Sequence, residues 1–88
     1  MNKSRILLFG KLKSFCPKGI LEVDTKSDMT PLELREAVAK ALKEINPLFS
    51  GVNELKSSAV ADATKILNEK GPIGDGLEFS LLPPVCGG

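Results

Sequence analysis

The sequence predicts an α+β domain in which one main helix packs on one face of a mixed β-sheet. Three features carry this prediction: two strand-like apolar segments near the start, one well-marked helix in the middle, and a further strand-like segment near the end. With 88 residues, of which 42% are hydrophobic and 26% charged, the chain has the size and composition of one globular domain. We expect this domain to span residues 1–82 and a flexible C-terminal tail to span residues 83–88.

The first two strands are predicted from apolar runs that are separated by turn residues. Residues 4–12, SRILLFGKL, are apolar without interruption in the middle, which is typical of a central strand. Residues 20–25, ILEVDT, alternate between two faces and predict a second strand. Residues 14–19 between them contain a proline and a glycine, so we expect the two strands to form a hairpin.

A helix is predicted over Pro31–Ile45. Thr30 suits the N-cap position, Pro31 suits the first helical position, and Glu33 completes a capping box. Asn46-Pro47 should end the helix, because proline has no backbone N–H to continue the hydrogen bonding. One apolar stripe recurs at helical spacing: Leu34, Ala37, Val38, Ala41, Leu42 and Ile45.

After the helix the pattern is weaker. Residues 47–55 predict an irregular connection, anchored by the apolar residues Leu48, Phe49 and Leu55. Short strands are predicted at residues 58–61 and 65–67.

The last strand is predicted over residues 77–82, after a dense turn at residues 71–76. Alternation would place Leu77, Phe79 and Leu81 on one face of this strand. A right-handed crossover would bring the first and last strands together as parallel central strands. This order of elements is that of the β-grasp (ubiquitin-like) fold.

Composition disfavours several classes of function. The chain has no histidine, which removes Ser-His, Cys-His and His-metal arrangements, so we expect no bound metal or cofactor and no catalysis by the chain alone. Its net charge is +1 and it has no Trp or Tyr, which gives nucleic-acid binding little support. The N-terminal apolar run is too short for a secretory signal, and no stretch is long enough to span a bilayer.

The two cysteines, Cys16 and Cys86, do not have the spacing of metal ligands. The sequence permits a disulfide between them, but the pattern favours a cytoplasmic protein with free thiols.

The ending 83-PPVCGG-88 is the segment that could carry chemistry. Gly88 would present a carboxylate with no side chain around it, and Gly87 would let the backbone lie close to the surface of a partner. Pro83 and Pro84 stiffen the start of the tail, whose six residues reach about 20 Å when extended. Because a carboxylate is a poor electrophile, it would need activation, most simply by ATP to an acyl-adenylate.

A Gly-Asp-Gly turn, an apolar strand and a Pro-Pro-Val-x-Gly-Gly ending occur together in 72-PIGDGLEFSLLPPVCGG-88. This combination resembles the small subunit of molybdopterin synthase, the ubiquitin-like sulfur carrier of molybdenum cofactor synthesis. The resemblance extends to residues 5–13 as the first strand, the capped helix, and residues 59–62 as the third strand. The chain departs from the family at Leu77-Glu78, where the family usually has a dipeptide close to Asp-Glu, and at Cys86, where it usually has a small residue.

The resemblance implies that an E1-like adenylating enzyme uses ATP to activate Gly88, and that a sulfur donor then converts the glycine to a thiocarboxylate. A large molybdopterin synthase subunit would accept the tail, including Gly87 and residues Pro83, Pro84 and Val85, and use its sulfur. We expect Cys86 to be a small side chain that the channel tolerates, without a part in sulfur transfer.

A partner-binding surface beside the tail is predicted at Phe9, Ile66 and Leu82. Leu82 alternates away from the apolar face of its strand, and an apolar residue on the opposite face favours contact with another protein.

Two other functions remain open on the sequence. The chain could carry sulfur for another product, such as thiamine or cysteine, although carriers for thiamine usually lack the Pro-Pro-Val step. It could also be a protein modifier that forms isopeptide bonds through Gly88.

Overall fold

The computed structural model describes residues 2–16, 18–50 and 52–82. The predicted tail, with Pro83, Pro84, Val85, Gly87 and Gly88, lies outside these residues, as does Cys86, so the division into 1–82 and 83–88 stays a prediction. The elements in chain order are strand β1 (Asn2–Leu8), a 3₁₀ helix (Gly10–Phe15), strand β2 (Ile20–Thr25), helix α1 (Pro31–Ile45), helix α2 (Val52–Ser57), strand β3 (Ala59–Ala61) and strand β4 (Glu78–Leu82).

The described strands form one mixed sheet in the order β2-β1-β4-β3. The central strands β1 and β4 are parallel, and each pairs antiparallel with its outer neighbour. Helix α1 packs on one face of this sheet. The β-grasp prediction, with parallel first and last strands at the centre, is therefore confirmed.

The core lies between the sheet and α1 and follows from the alternation of each strand. In β2 the burial alternates strictly, and Leu21 and Val23 point inward. In β4 Phe79 and Leu81 are buried. From α1 the apolar stripe contributes three fully buried residues: Leu34, Val38 and Leu42.

Among the described residues, no helix is long and apolar enough to cross a bilayer.

Helix α1 has the predicted boundaries and the predicted cap. The backbone N–H of Glu33 donates to the Thr30 hydroxyl at 3.3 Å, and the Glu33 carboxylate accepts from the Thr30 N–H at 3.0 Å. The prediction is wrong for one member of the apolar stripe. Ile45 is 53% exposed, because it is the last helical residue and the packing of α1 on the sheet does not reach it.

The first connection differs from the predicted hairpin turn. Strand β1 ends at Leu8, and Gly10, with φ of 61°, turns the chain into the 3₁₀ helix. The 3₁₀ helix places Leu12 in the core. Residues 10–12, which were predicted to continue the first strand, therefore belong to a short helix. Strands β1 and β2 still pair antiparallel, as predicted.

The region after α1 also corrects the sequence prediction. The segment predicted as irregular, residues 47–55, ends within α2, a helix of 6 residues that is too short to show a clear period. Phe49 and Leu55 are buried anchors, whereas Leu48 is 85% exposed. The predicted strand at residues 65–67 is reduced to one bridge between Ile66 and Ala61.

Leu77 was predicted to share the buried face of the last strand, and this prediction is wrong. It precedes β4 and is 64% exposed.

Candidate partner-binding surface

The last described residue before the tail is Leu82, at the end of β4. Because β1 runs parallel to β4, it ends at the same side of the sheet, while the antiparallel strands β2 and β3 begin there. We call this side the tail end of the sheet.

The strand register places apolar side chains together on the outer face, which is the face away from α1. Leu7 lies opposite both Ile20 and Ser80, Ser80 lies opposite Ala61, and Ala61 bridges to Ile66. Residues that lie opposite each other in a sheet project from the same face. We call this row the outer strip, together with Leu82 and Ala59, which pair with each other nearer the tail end. At about 4.8 Å per strand, the row from Ile20 to Ile66 spans about 19 Å.

The outer strip is open to solvent at its two ends. Ile20 is 45% exposed and Ile66 is 62% exposed, while Leu7 and Leu82 are half-buried. Ser80 interrupts the strip at its centre, and an exposed, mainly apolar surface of this kind is typical of a site that another protein covers.

All three described residues of the predicted partner surface lie on or beside this strip. Leu82 and Ile66 belong to it through the strand register. Phe9 follows β1 directly with extended backbone (φ −133°, ψ 162°) and is 42% exposed, so the alternation places it on the face of Leu7. The structure thus brings the three residues to one face, and their role in partner binding stays a prediction.

Two members of the strip, Leu7 and Ile20, were missed by the sequence analysis. Ile20 alternates with Leu21 and therefore shares the polar face of its strand with Glu22. An apolar residue at such a position is a signal that the sequence contains. The sequence pattern does not give the strand register. The register pairs Ile20 with Leu7, so that two residues far apart in the chain form one surface.

Farther from the tail end the outer face becomes charged. Arg5 lies opposite Glu22 and Glu78 in the register, and its guanidinium is 3.2 Å from the Glu78 carboxylate. Both side chains of this ion pair are about half exposed, which limits its contribution to about 0–1 kcal/mol. The face is therefore divided into an apolar part near Leu82 at the tail end of the sheet and a charged part farther from it.

A second ion pair, missed by the sequence analysis, lies on the other side of the sheet. Arg35 of α1 is buried, with a guanidinium that donates to both carboxylate oxygens of Glu69 and to the carbonyl oxygen of Ser58. The hydrogen bond from Arg35 holds the pKa of the Glu69 carboxyl below its usual range. This contact ties α1 to the segment between β3 and β4.

A second carboxylate of the described residues, that of Asp62, also has a pKa that is lowered by a structural contact. The backbone N–H groups of Thr64 and Lys65 donate to the Asp62 carboxylate at 2.8 Å and lower the pKa of Asp62. Within residues 2–16, 18–50 and 52–82, no group of three or more acidic or cysteine side chains is placed to hold a metal ion.

No protein-family model matches the chain, and no curated protein matches it. Among solved structures, the chain is similar to the crystal structure of SAMP1 from Haloferax volcanii, with 24% identity, a TM-score of 0.65, and coverage of 99% of this chain and 100% of that chain. It is also similar to a crystal structure of H. volcanii small archaeal modifier protein 1, with 22% identity, a TM-score of 0.62, and coverage of 97% and 100%. These similarities support the ubiquitin-like β-grasp fold across nearly the whole chain.

Proposed function

We propose that this protein is a sulfur carrier whose C-terminal Gly88 is adenylated and then converted to a thiocarboxylate, which donates sulfur for the synthesis of molybdopterin. The observation that carries the proposal is the Pro-Pro-Val-x-Gly-Gly segment immediately after β4. This strand is central in the sheet and ends beside the outer strip. A reactive tail and a surface that could bind its partners are therefore adjacent in the chain.

The chemistry needs no acid or base from this chain. The carboxylate of Gly88 attacks ATP to form an acyl-adenylate and release pyrophosphate. A sulfide equivalent from a sulfur donor then replaces AMP and leaves a thiocarboxylate. The E1-like adenylating enzyme supplies the catalytic groups, and ATP is bound by that enzyme.

The outer strip gives the two main partners one shared docking surface. The tail must leave the adenylating enzyme before it can enter the large molybdopterin synthase subunit, so the two complexes must exclude each other. One surface at the tail end of the sheet would enforce this order. Competition between the two partners for the protein is therefore part of the proposal.

Intact mass spectrometry tests the proposal. The protein is incubated with the adenylating enzyme, ATP and a sulfur source, and Gly88 is expected to gain the mass of one exchange of oxygen for sulfur. The loaded protein should then support molybdopterin formation by the large subunit.

Two altered tails serve as controls. A chain without Gly87 and Gly88 should not be loaded, and a chain with one alanine added after Gly88 should also fail, since its carboxylate is displaced from the site of adenylation. Sulfur loading that survives either change would contradict the proposal.

The solved structures favour a second candidate, since they describe a small archaeal modifier protein with the same fold. In this alternative the activated Gly88 is transferred to the amine of a lysine and forms an isopeptide bond. Mass spectrometry of proteolysed conjugates would show the joined Gly-Gly remnant on target lysines. If such conjugates formed and the thiocarboxylate form of the protein did not support molybdopterin synthesis, the result would favour the modifier over the sulfur carrier.

A further inference from the structure

Strand β2 is an open edge of the sheet. It pairs with β1 on one side and ends the strand order there. The N–H of Leu8 donates to the carbonyl oxygen of Gly19 at 2.8 Å, which fixes the hydrogen-bonding phase of this antiparallel pair. In that phase Ile20, Glu22 and Asp24 direct their backbone N–H and C=O groups away from β1.

Part of this edge is already occupied within the chain. The Cys16 thiol donates to the carbonyl oxygen of Ile20 at 3.4 Å. Among the described residues outside the sheet, none bonds the backbone of Glu22 or Asp24. The edge therefore offers its backbone groups at these two residues.

A shallow groove of about 330 Å³ runs between this edge and α1. Its apolar lining is formed by Val23 from the strand and by Ala37 and Ala41 from the helix, the two alanines being half-buried. The small side chains of the helix leave room for an added side chain next to Val23.

The rim of the groove is acidic. Glu22, Asp24 and Glu44 are exposed there, against the single exposed ammonium of Lys40. Between described residues, neither Glu22 nor Asp24 forms an ion pair within 4.0 Å. Arg5 and Lys3 of β1 lie opposite Glu22 and Asp24 in the register, and on the open side of β2 each carboxylate can accept a second cation from a partner.

We propose that the edge of β2 and the adjoining groove bind an extended segment of a partner protein, in which basic and apolar residues alternate. Such a segment would add a strand to the sheet through the backbone of Glu22 and Asp24. Residues that lie opposite each other share a face, so basic side chains opposite Glu22 and Asp24 meet carboxylates, and the apolar residue between them enters the groove beside Val23.

The same charges oppose a second copy of this chain as the occupant. If two β2 edges paired, the carboxylates of Glu22 and Asp24 would face those of the other copy, and like charges opposite each other destabilise a sheet. The groove also lies on the helix side of β2, whereas the outer strip lies on the other face. The carboxylates of Glu22 and Asp24 project from the outer face beside Ile20, so the site adjoins the outer strip there and differs from it in the groove and the backbone edge.

The test uses the purified protein and a capped synthetic peptide of sequence Ser-Lys-Val-Lys-Val-Lys-Ser, titrated by NMR and calorimetry. Binding should shift the backbone amide signals of Glu22, Asp24, Ala37 and Ala41, and should slow hydrogen exchange at the outward N–H groups of β2. A peptide of the same composition in the order Ser-Val-Val-Lys-Lys-Lys-Ser should bind more weakly, since it cannot place its charges and apolar residues on opposite faces.

Two sets of variants separate charge from backbone pairing. Reversal of both charges, with Glu22→Lys and Asp24→Lys, should weaken binding by about tenfold, because two favourable cross-strand pairs become repulsive. The matched control Glu36→Lys reverses an exposed charge of α1 outside the groove and should leave the affinity nearly unchanged. Asp24→Pro removes an outward N–H and should weaken binding more than Asp24→Asn, which keeps it.

Four outcomes would overturn the proposal. The first is an absence of binding at millimolar peptide. The second is equal binding of the two peptides, which would indicate general charge attraction. The third is amide shifts confined to the outer strip, and the fourth is a protein dimer that forms through β2.

Discussion

The two faces of the sheet come from the same strands but have different roles. On the inner face Ile6, Phe79 and Leu81 are at most 1% exposed and pack under α1. On the outer face, Arg5 and Glu78 of the same two central strands are exposed, and the strip near the tail is only half covered. The apolar residues of the inner face are therefore accounted for by folding, whereas those of the outer strip are left for another purpose.

The largest expected effect distinguishes the faces by stability. Phe79→Ala removes a side chain that is 1% exposed and should lower the free energy of unfolding by about 3–5 kcal/mol. Ile66→Ala truncates a side chain that is 62% exposed and should change it by less than about 0.5 kcal/mol. Urea unfolding followed by circular dichroism measures both. Similar losses in the two variants would show that the strip belongs to the core.

The inner face could be predicted from the sequence because its pattern is local. The period of α1 and the alternation of β2 and β4 identify Leu34, Val38, Leu21 and Phe79 without knowledge of distant contacts. The capping box of α1 is equally local, since Thr30 and Glu33 lie three residues apart. These elements were predicted correctly.

What could not be predicted depends on contacts between distant parts of the chain. Arg35 sits beside Leu34 in a helix whose polar residues are mostly exposed, and its burial depends on Glu69, which lies 34 positions later. The helix α2 is stabilised by packing, since its 6 residues are too few for an intrinsic signal.

The candidate site was predictable in part. Phe9, Ile66 and Leu82 could be named from the sequence as a candidate surface, but their common face and the extent of the strip needed the strand register, including the pairing of Leu7 with Ile20. The proposed chemistry rests on a sequence motif at residues 83–88, which lie outside the described structure.

A second prediction compares arginines on the two sides of the sheet. Arg35→Ala removes a guanidinium whose side chain is 10% exposed and which is bonded to Glu69 and Ser58, so we expect a loss of about 2–3 kcal/mol. The loss should stay below that for a fully buried pair, because the Glu69 side chain is 51% exposed and can be hydrated.

The matched control is Arg5→Ala, which breaks the exposed pair with Glu78 and should cost about 0–1 kcal/mol. Urea unfolding of the two variants under the same conditions gives the comparison. If Arg5→Ala proved as costly as Arg35→Ala, the contrast between the faces would be wrong.

A third prediction concerns binding. Leu82→Glu places a charge in the outer strip beside the tail and should weaken binding to the adenylating enzyme and to the large subunit by about tenfold or more, with an unchanged far-ultraviolet circular dichroism spectrum. Leu77→Glu is the control, since it makes the same change at an exposed leucine that precedes β4 and is not part of the strip. Calorimetry with each partner should show nearly normal binding for this control. Equal effects of the two variants would argue against the strip as the docking surface.

The smallest expected effect is a pH dependence that arises on the side of α1. Because the hydrogen bond from Arg35 lowers the pKa of Glu69 in the folded protein, the ion pair contributes stability above the ordinary value of 4.5, and this contribution is lost as the pH falls from there toward the lowered pKa. Glu69 is half exposed, so solvent screening should keep the contribution below about 1 kcal/mol. Urea unfolding at a series of pH values should show that wild type exceeds Glu69→Gln in stability at neutral pH and that this difference shrinks below pH 4.5. In an Arg35→Ala background, the proteins with and without Glu69→Gln should differ little in stability at any pH, because the hydrogen bond that lowers the pKa of Glu69 is gone. A difference that persists unchanged in that background would mean that a group other than Arg35 sets the pKa of Glu69.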